Sequence, residues 1–414
     1  MCERLICNKL TAHLTENDLI CSSQHGFLSK RSTLTNLLEF ITFVGEAYDT
    51  GENIDVLYFD LQKAFDKVPH DRLIFKIEKM GVCGKVLQWV TEWLRERKQR
   101  VVLNGEMSSW KDVLSGVPQG SVLGPVLFLI YVDDLDNDVV NKLLKFADDT
   151  KLFGIVSDNQ QCTVLEQDLS KIINWSDKWL MPFNVDKCCV MHIGKQNLVK
   201  DYKIKNQSLK SVTEEKDLGI IIQDDLQSSK QCLAKCQSAN KILGMIYRSI
   251  ECKNRSVVLK LYKSLVRPVL EYCIPVWSPY LQKESDALEK IQRRATKMIK
   301  DIKHLSYEER LSVLGLTTLR TRRLRGDLIL MYKVVKGLVN VDVSKFFKFD
   351  TNHLRGHQFK VYKNRFRTNI GKNLFKNRII NEWNSLSKYV VDADSLNEFK
   401  SRLDHHLKYN RGFT

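Results

Sequence analysis

IDVLYFD (residues 54–60) and KFADDTKLF (145–153) are the two stretches whose reading decides the fold. The first is a short apolar run that follows Thr50-Gly51-Glu52-Asn53 and ends in Asp60, the pattern of a buried strand. The second predicts a hairpin. Leu143–Ala147 and Thr150–Gly154 form its arms, and Asp148 and Asp149 sit at its tip. Singly, an acid at a strand end is a cap and an Asp-Asp pair is turn chemistry. Three acids carried by adjoining apolar strands are different, because packed carboxylates repel one another unless a cation neutralises them. An all-oxygen donor set favours a hard ion such as Mg²⁺, which completes its shell with water or phosphate oxygens.

Outward from these strands, the chain alternates helix and strand patterns and then becomes helical. Leu34, Leu37, Leu38, Ile41 and Val44 recur on one helical face within residues 1–50. Helix patterns at 70–98 are punctuated by Gly81 and Gly84. Asn104-Gly105 predicts a second hairpin between Arg100–Leu103 and Trp110–Val113. Residues 121–135 predict a buried helix, 160–180 a helix, and 187–194 and 216–222 one short strand each. Long helices are expected at 229–250, 254–267 and 282–302, followed by a basic and mostly helical remainder. The resulting fold class is α+β, with a helical second half.

Composition sets outer bounds. With 414 residues, 43% hydrophobic and 28% charged, the chain suits two or three folded domains rather than a disordered or fibrous one. No apolar run approaches the ~18 residues of a membrane span, so no membrane partner is expected. MCERLICNKL lacks the apolar stretch of a secretory leader, which predicts an intracellular protein, in the nucleus, the cytoplasm or both. The 11 scattered cysteines, an odd number, fit reduced thiols better than a disulfide framework. His353, His357, His405 and His406 have no cysteine companions at metal-site spacing and are read as structural. Of the net charge of +16, residues 290–414 carry 28 Lys+Arg against 11 Asp+Glu, which leaves the rest nearly neutral. Such asymmetry predicts a polyanionic partner held by the C-terminal third. Arg320, Arg322, Arg323 and Arg325 cluster there, and residues 353–378, with Lys363, Arg365 and Arg367, interleave basic and aromatic side chains suited to phosphate contact and base stacking.

Several motifs in order carry a family resemblance. Gln24-His25-Gly26-Phe27 with Ser32-Thr33, VLYFDLQKAFDKVPH (56–70), SGVPQGSVLGPVLF (115–128), KFADDTKLF, Asn184-Val185-Asp186-Lys187 and Asp217-Leu218-Gly219 resemble the reverse transcriptase of non-long-terminal-repeat retrotransposons, the LINE type of the jockey and chicken-repeat-like groups. LYKSLVRPVLEYCIPVWSPY (261–280) and LEKIQRRATKMI (288–299) resemble the thumb and connecting region that follow. The resemblance implies a right-hand polymerase with an antiparallel palm sheet. Its fingers and palm would span 1–225, a helical thumb 226–303 and a basic nucleic-acid-binding region 304–414.

It implies an RNA-directed DNA polymerase that extends a DNA primer with deoxynucleotides on an RNA template. Two Mg²⁺ ions (Mn²⁺ is an alternative) would lie about 3.5–4 Å apart. Asp60 and Asp148 would ligate them, with Asp149 as a ligand or a support and the Leu61 carbonyl as a further donor. By the same resemblance Phe65 is a steric gate against ribose, and Gln119 lines the nucleotide pocket beside Gly120. Lys30 or Arg31 would bind triphosphate oxygens, Lys187 would protonate pyrophosphate, and Leu218-Gly219 would approach the primer end. The family's leading fingers strand and upstream apurinic-type endonuclease have no counterpart in the chain, which implies a truncated copy. The competing expectation is a catalytically silent, retroelement-derived protein that binds nucleic acid without polymerising. The oligomeric state stays open.

Overall fold

A computed structural model describes residues 2–350 and 356–410; the histidine reading at His353 and the first residues of the basic-aromatic stretch lie outside the described residues. The chain divides into two compact units, Met1–Asn36 with Glu52–Thr213, and Leu37–Gly51 with Glu214–Thr414.

The first unit opens with α1 (Cys2–Glu16), and α2 (Thr33–Thr50) begins in it. β1 (Ile54–Phe59) is buried at every position, as its apolar run predicts. α3 (His70–Lys79) and α4 (Gly84–Leu94) follow. Next comes an exposed ribbon in which β2 (Lys98–Gln99) pairs with β5 (Lys111–Asp112), and β3 (Val102–Leu103) with β4 (Glu106–Met107). Asn104 and Gly105 both take positive φ at the ribbon's tip, the requirement of a type I′ turn. α5 (Gly124–Val132) is almost wholly apolar and buried around its circumference, with a 3₁₀ turn at Asp133–Asp136. β6 (Lys142–Phe146), β7 (Asp149–Ile155), α6 (Asn159–Trp179), β8 (Cys189–Ile193), β9 (Lys203–Ile204), β10 (Gln207–Ser208) and β11 (Lys210–Ser211) complete the unit.

Its main sheet has the order β11-β8-β1-β7-β6. β1 lies between two antiparallel partners, with Ile54 opposite Ile155 and Ile193, and Phe59 opposite Thr150. The apolar core on the sheet gathers α1, α3, α4, α5 and α6 through residues such as Leu10, Ile77, Leu94, Phe128 and Ile172. Asp158 caps α6 by accepting the Gln161 backbone N–H at 2.7 Å. Lys76 is 5% exposed in this core. Its ammonium donates to the Tyr131 carbonyl and the Asp134 carboxylate, each at 2.5 Å, and lies 3.8 Å from the Trp179 ring centroid and 5.1 Å from that of Trp175.

The second unit contains the later residues of α2 and a hairpin of β12 (Glu214–Asp217) and β13 (Ile220–Gln223). Two strands therefore occupy the region expected to hold one, because Leu218 and Gly219, at φ 46° and 84°, reverse the chain. α7 (Ser229–Ser249) matches its sequence pattern. The helix expected at 254–267 is α8 (Arg255–Leu261), a π turn at Tyr262–Val266 and α9 (Arg267–Glu271), after which Pro275 falls in the short α10 (Ile274–Trp277). The one expected at 282–302 is α11 (Gln282–Lys297) with a separate 3₁₀ turn at Lys300–Ile302. α12 (Tyr307–Leu314), closed at its start by a Ser306/Glu309 capping box, and α13 (Leu319–Val335) follow.

The remainder is less helical than its sequence suggests. Residues 356–368 contain no helix, and Phe349 bridges Val361. Side chains from α2 capture this backbone instead: the Asp49 carboxylate accepts the N–H groups of Arg367 at 3.0 Å and Thr368 at 2.7 Å. Short helical turns and a final helix, Leu396–Asn410, end the described chain. All eleven cysteines are free thiols. No helix among the described residues is long and apolar enough to cross a membrane.

Burial pushes the Lys76 pKa down to about 8 against the pull of Asp134, and burial does the same to Lys376 in the second unit. Between pH 8 and the unfolded value of 10.5 the unfolded chain binds more protons at Lys76 than the folded chain, so stability rises with pH across that window. Urea unfolding of the first unit between pH 8 and 10 should show this rise, on the order of 2–3 kcal/mol in full. Lys76→Met should remove most of it.

Candidate active site

Asp60 follows Phe59, whose ladder partner is Thr150, so it leaves β1 level with the start of β7. Its Cα therefore lies about one strand spacing, roughly 5 Å, from the Asp148–Asp149 segment. The turn between β6 and β7 falls one residue earlier than expected. Phe146 pairs with Asp149, so Ala147 and Asp148 alone form the tip and Asp149 already belongs to the strand. Ala147 takes φ 57° at the first turn position, where glycine is the usual residue. The Thr150 hydroxyl donates to the Asp148 carbonyl at 3.3 Å.

Asp148 is half-buried, and that burial, reinforced by the negative charge of Asp60, holds its carboxyl above the ordinary carboxylate range. Lys187 Nζ stands 3.5 Å from Asp60 Oδ2, in an exposed pair with little energy of its own. Asp149 is exposed. Among the described residues no three or more His, Cys, Asp or Glu side chains converge as a metal site. The charge of Asp60 acts on Asp148, and carboxylate oxygens of this kind are donors a hard cation could use.

The segment after α6 fixes the far side of Asp60. Asn184 N–H donates to the Asp60 carbonyl at 2.8 Å, Gln62 N–H donates to the Pro182 carbonyl at 2.9 Å, and Leu61 bridges Phe183. Lys187 ends the turn opened by Asn184, to whose carbonyl its N–H donates at 3.0 Å, before β8 starts at Cys189.

Phe65 lies in the next turn. Its ring stacks on Phe128 of α5 with centroids 4.6 Å apart, and Phe27 meets its edge at 6.4 Å. The loop before α5 runs along the same turn: Val117 N–H donates to the Phe65 carbonyl at 2.7 Å and Gln119 Nε2 to Asp66 Oδ1 at 3.3 Å. Gly120 is exposed with φ 83°, and a Cβ there would meet nothing within 4 Å, so its conformation rather than crowding calls for glycine.

Other site residues are held elsewhere. Arg31 turns back on its own loop, its guanidinium donating to the Ser22 and Gln24 carbonyls, the latter at 2.7 Å, while Lys30 is exposed at φ 60°. Leu218 and Gly219 belong to the second unit, where Tyr272 Oη donates to the Leu218 carbonyl and Lys235 Nζ to that of Gly219. In the arginine cluster Arg320 is exposed. Arg322 forks onto Glu271, Arg323 is buried and donates to Ser285 Oγ at 2.6 Å, and Arg325 pairs with Asp404 at 2.5 Å. Lys363, Arg365 and Arg367 are exposed on the extended stretch. Sequence reasoning missed the side chains that support the site, namely Phe27 and Phe128 beside Phe65 and Asp66 under Gln119. Their contacts join distant segments with no periodicity to betray them.

With this geometry in view, the family model of the reverse transcriptase (RNA-dependent DNA polymerase) matches residues 2–246. The chain belongs to the reverse transcriptase family, and its fold is mixed α+β around a five-stranded sheet. It is similar to the RNA-directed DNA polymerase from mobile element jockey of Drosophila funebris, at 28% identity over 73% of the chain. It is also similar to the probable RNA-directed DNA polymerase from transposon BS of Drosophila melanogaster, at 26% identity over 72% of the chain. The chain spans about a third (34%) of the length of these relatives. Among solved structures it is similar to apo telomerase from Candida tropicalis, at 13% identity and TM-score 0.43, covering 75% of this chain and 53% of that one.

Because the Asp148 carboxyl is raised above its unfolded value of 3.8, the folded protein binds more protons there than the unfolded chain as pH climbs past that value. Stability is therefore lost as pH rises through the window. Asp148→Asn should raise the melting temperature of chelator-treated protein at pH 7, with the gain vanishing near pH 3.

Proposed function

We propose that this chain is an RNA-directed DNA polymerase that extends a DNA primer 3′-hydroxyl with deoxynucleotides on an RNA template. The observation that carries the reading is the strand register that brings Asp60 level with the start of β7, near enough to Asp148 for the Asp60 charge to help raise its carboxyl. They fit Mg²⁺, or Mn²⁺ in its stead, because Mg²⁺ is commonly held by one or two carboxylates with waters and substrate phosphates rather than by an all-protein cage. Asp60 and Asp148 would hold two such ions, with the Leu61 carbonyl as a further donor and exposed Asp149 as a support. When bound, the ions lower the pKa of the attacking hydroxyl and neutralise the triphosphate.

The chain's own residues do the positioning. Phe65, stacked on Phe128, would bar a ribose 2′-hydroxyl with its ring. Gln119, tethered to Asp66, lines the nucleotide site beside Gly120. Lys187 is exposed beside Asp60, free to carry a proton to the departing pyrophosphate. Lys30 or Arg31 would bind triphosphate oxygens; Arg31 also closes its own loop. In the second unit Leu218-Gly219 would support the primer end, residues 226–303 would act as thumb, and 304–414 would hold nucleic acid through Arg320, Lys363, Arg365 and Arg367. Such work is intracellular, in the nucleus, the cytoplasm or both.

Primer extension on an RNA template with Mg²⁺ and deoxynucleotides tests the reading. Asp60→Asn and Asp148→Asn should each lower the rate by about 10³-fold or more, several kcal/mol of lost charge stabilisation, while RNA binding persists. No product from well-folded wild-type protein would sink it. Phe65→Val should raise ribonucleotide incorporation, and unchanged sugar discrimination would remove the gate.

A further inference from the structure

The residues before α2 lie along the open edge of the five-stranded sheet. Gln24 forms a parallel bridge with Lys145 of β6: His25 N–H donates to the Lys145 carbonyl at 2.8 Å, and Lys145 N–H donates to the Ser23 carbonyl at 2.9 Å. Asn36 Nδ2 donates to the same Lys145 carbonyl at 3.1 Å. The Lys145 side chain is fully buried and donates to the Asp133 carbonyl and Asp136 Oδ1, each at 2.7 Å. β6 is thus held by its backbone and its side chain up to the residue before Phe146.

From this seam the Gln24 side chain, 1% exposed, reaches the turn itself. Its Oε1 accepts the Ala147 N–H at 2.9 Å and the Gly26 N–H at 2.8 Å. Gly26 touches the same point, since a Cβ there would sit 2.5 Å from Ala147 N. Ala147 is the left-handed residue of the turn, a conformation that non-glycine residues rarely adopt, and Asp148 follows it directly. A strained residue keeps its conformation only where its surroundings over-determine it. In this turn one amide oxygen and one bare glycine supply that constraint.

We propose that Gln24 is a positioning residue: its Oε1 pins the strained Ala147 and so sets the direction in which Asp148 presents its carboxylate towards Asp60. The claim rests on the polymerase reading for its catalytic half and on the clasp geometry alone for its structural half. Gln24 Nε2 has no hydrogen-bond partner among the described residues, so the acceptor oxygen is the working atom.

The test compares wild type with Gln24→Met, which keeps the volume and loses the acceptor, and Gln24→Glu, which keeps an acceptor oxygen for the Ala147 and Gly26 N–H groups. Leu94→Ala on α4, a core truncation outside the clasp, controls for general destabilisation. Hydrogen exchange of the 143–153 peptide should quicken by about tenfold or more in Q24M, but not in Q24E or L94A. In primer extension, kcat of Q24M should fall roughly 10- to 100-fold with the deoxynucleotide KM nearly unchanged, and Q24E should restore it. Unaltered exchange in Q24M, or equal loosening in L94A, overturns the clasp. A loosened turn with wild-type kcat overturns the positioning role. Wild-type protein that extends no primer counts against the polymerase reading instead, and the exchange comparison still decides the clasp.

Discussion

Two like charges kept side by side are the constraint around which the first unit is built. Asp60 and Asp148 repel, and partial burial raises the cost for Asp148. They remain together because a fully buried β1, laddered on both edges from Ile54 to Phe59, fixes where each strand ends. Unfolding would separate the carboxylates; the apolar core offsets that tendency. A divalent ion would relieve such repulsion, as the proposed function requires.

The same logic explains why so much buried polar chemistry lies behind the sheet end rather than in it. Lys145 and Lys76 are both nearly inaccessible, and each has its ammonium satisfied by backbone carbonyls and an acid of the 3₁₀ turn after α5. These bonds tie the end of α5 to β6 and α3 with directional contacts that apolar packing does not supply. Rigid neighbours would suit the proposed reaction, whose catalysis is mostly alignment and charge compensation.

Charge in the second unit carries a further lesson. The excess of Lys and Arg invites a nucleic-acid reading of every cluster, yet Arg322, Arg325, Lys376 and Arg378 each face a carboxylate of the same unit. Pairs of this kind link segments of the unit and engage charge that would otherwise face solvent. Arg320 on α13 and Arg365 on the extended stretch remain exposed instead. Net charge predicts attraction at a distance; the fold decides which side chains can make contact.

Much of this architecture was legible before any coordinates. Period-2 and apolar-run patterns marked β1 and the β6–β7 hairpin, helical spacing marked α6 and α7, and the Asp60, Asp148 and Gln119 motifs named the family, because local periodicity and motif order are properties of the chain itself. The register was not legible. It put Asp149 into the ladder and left Ala147 and Asp148 as the turn. Neither was the split of 216–222 into a hairpin, or the loss of helix across 356–368, where Asp49, distant in sequence, takes the backbone hydrogen bonds. The Gln24 amide on Ala147 and the stacking of Phe65 on Phe128 likewise join segments far apart in the chain. Sequence determined which residues could form strands, helices and a carboxylate site; tertiary structure alone decided which of them meet, because contact across a long loop depends on how whole elements pack and leaves no local pattern behind.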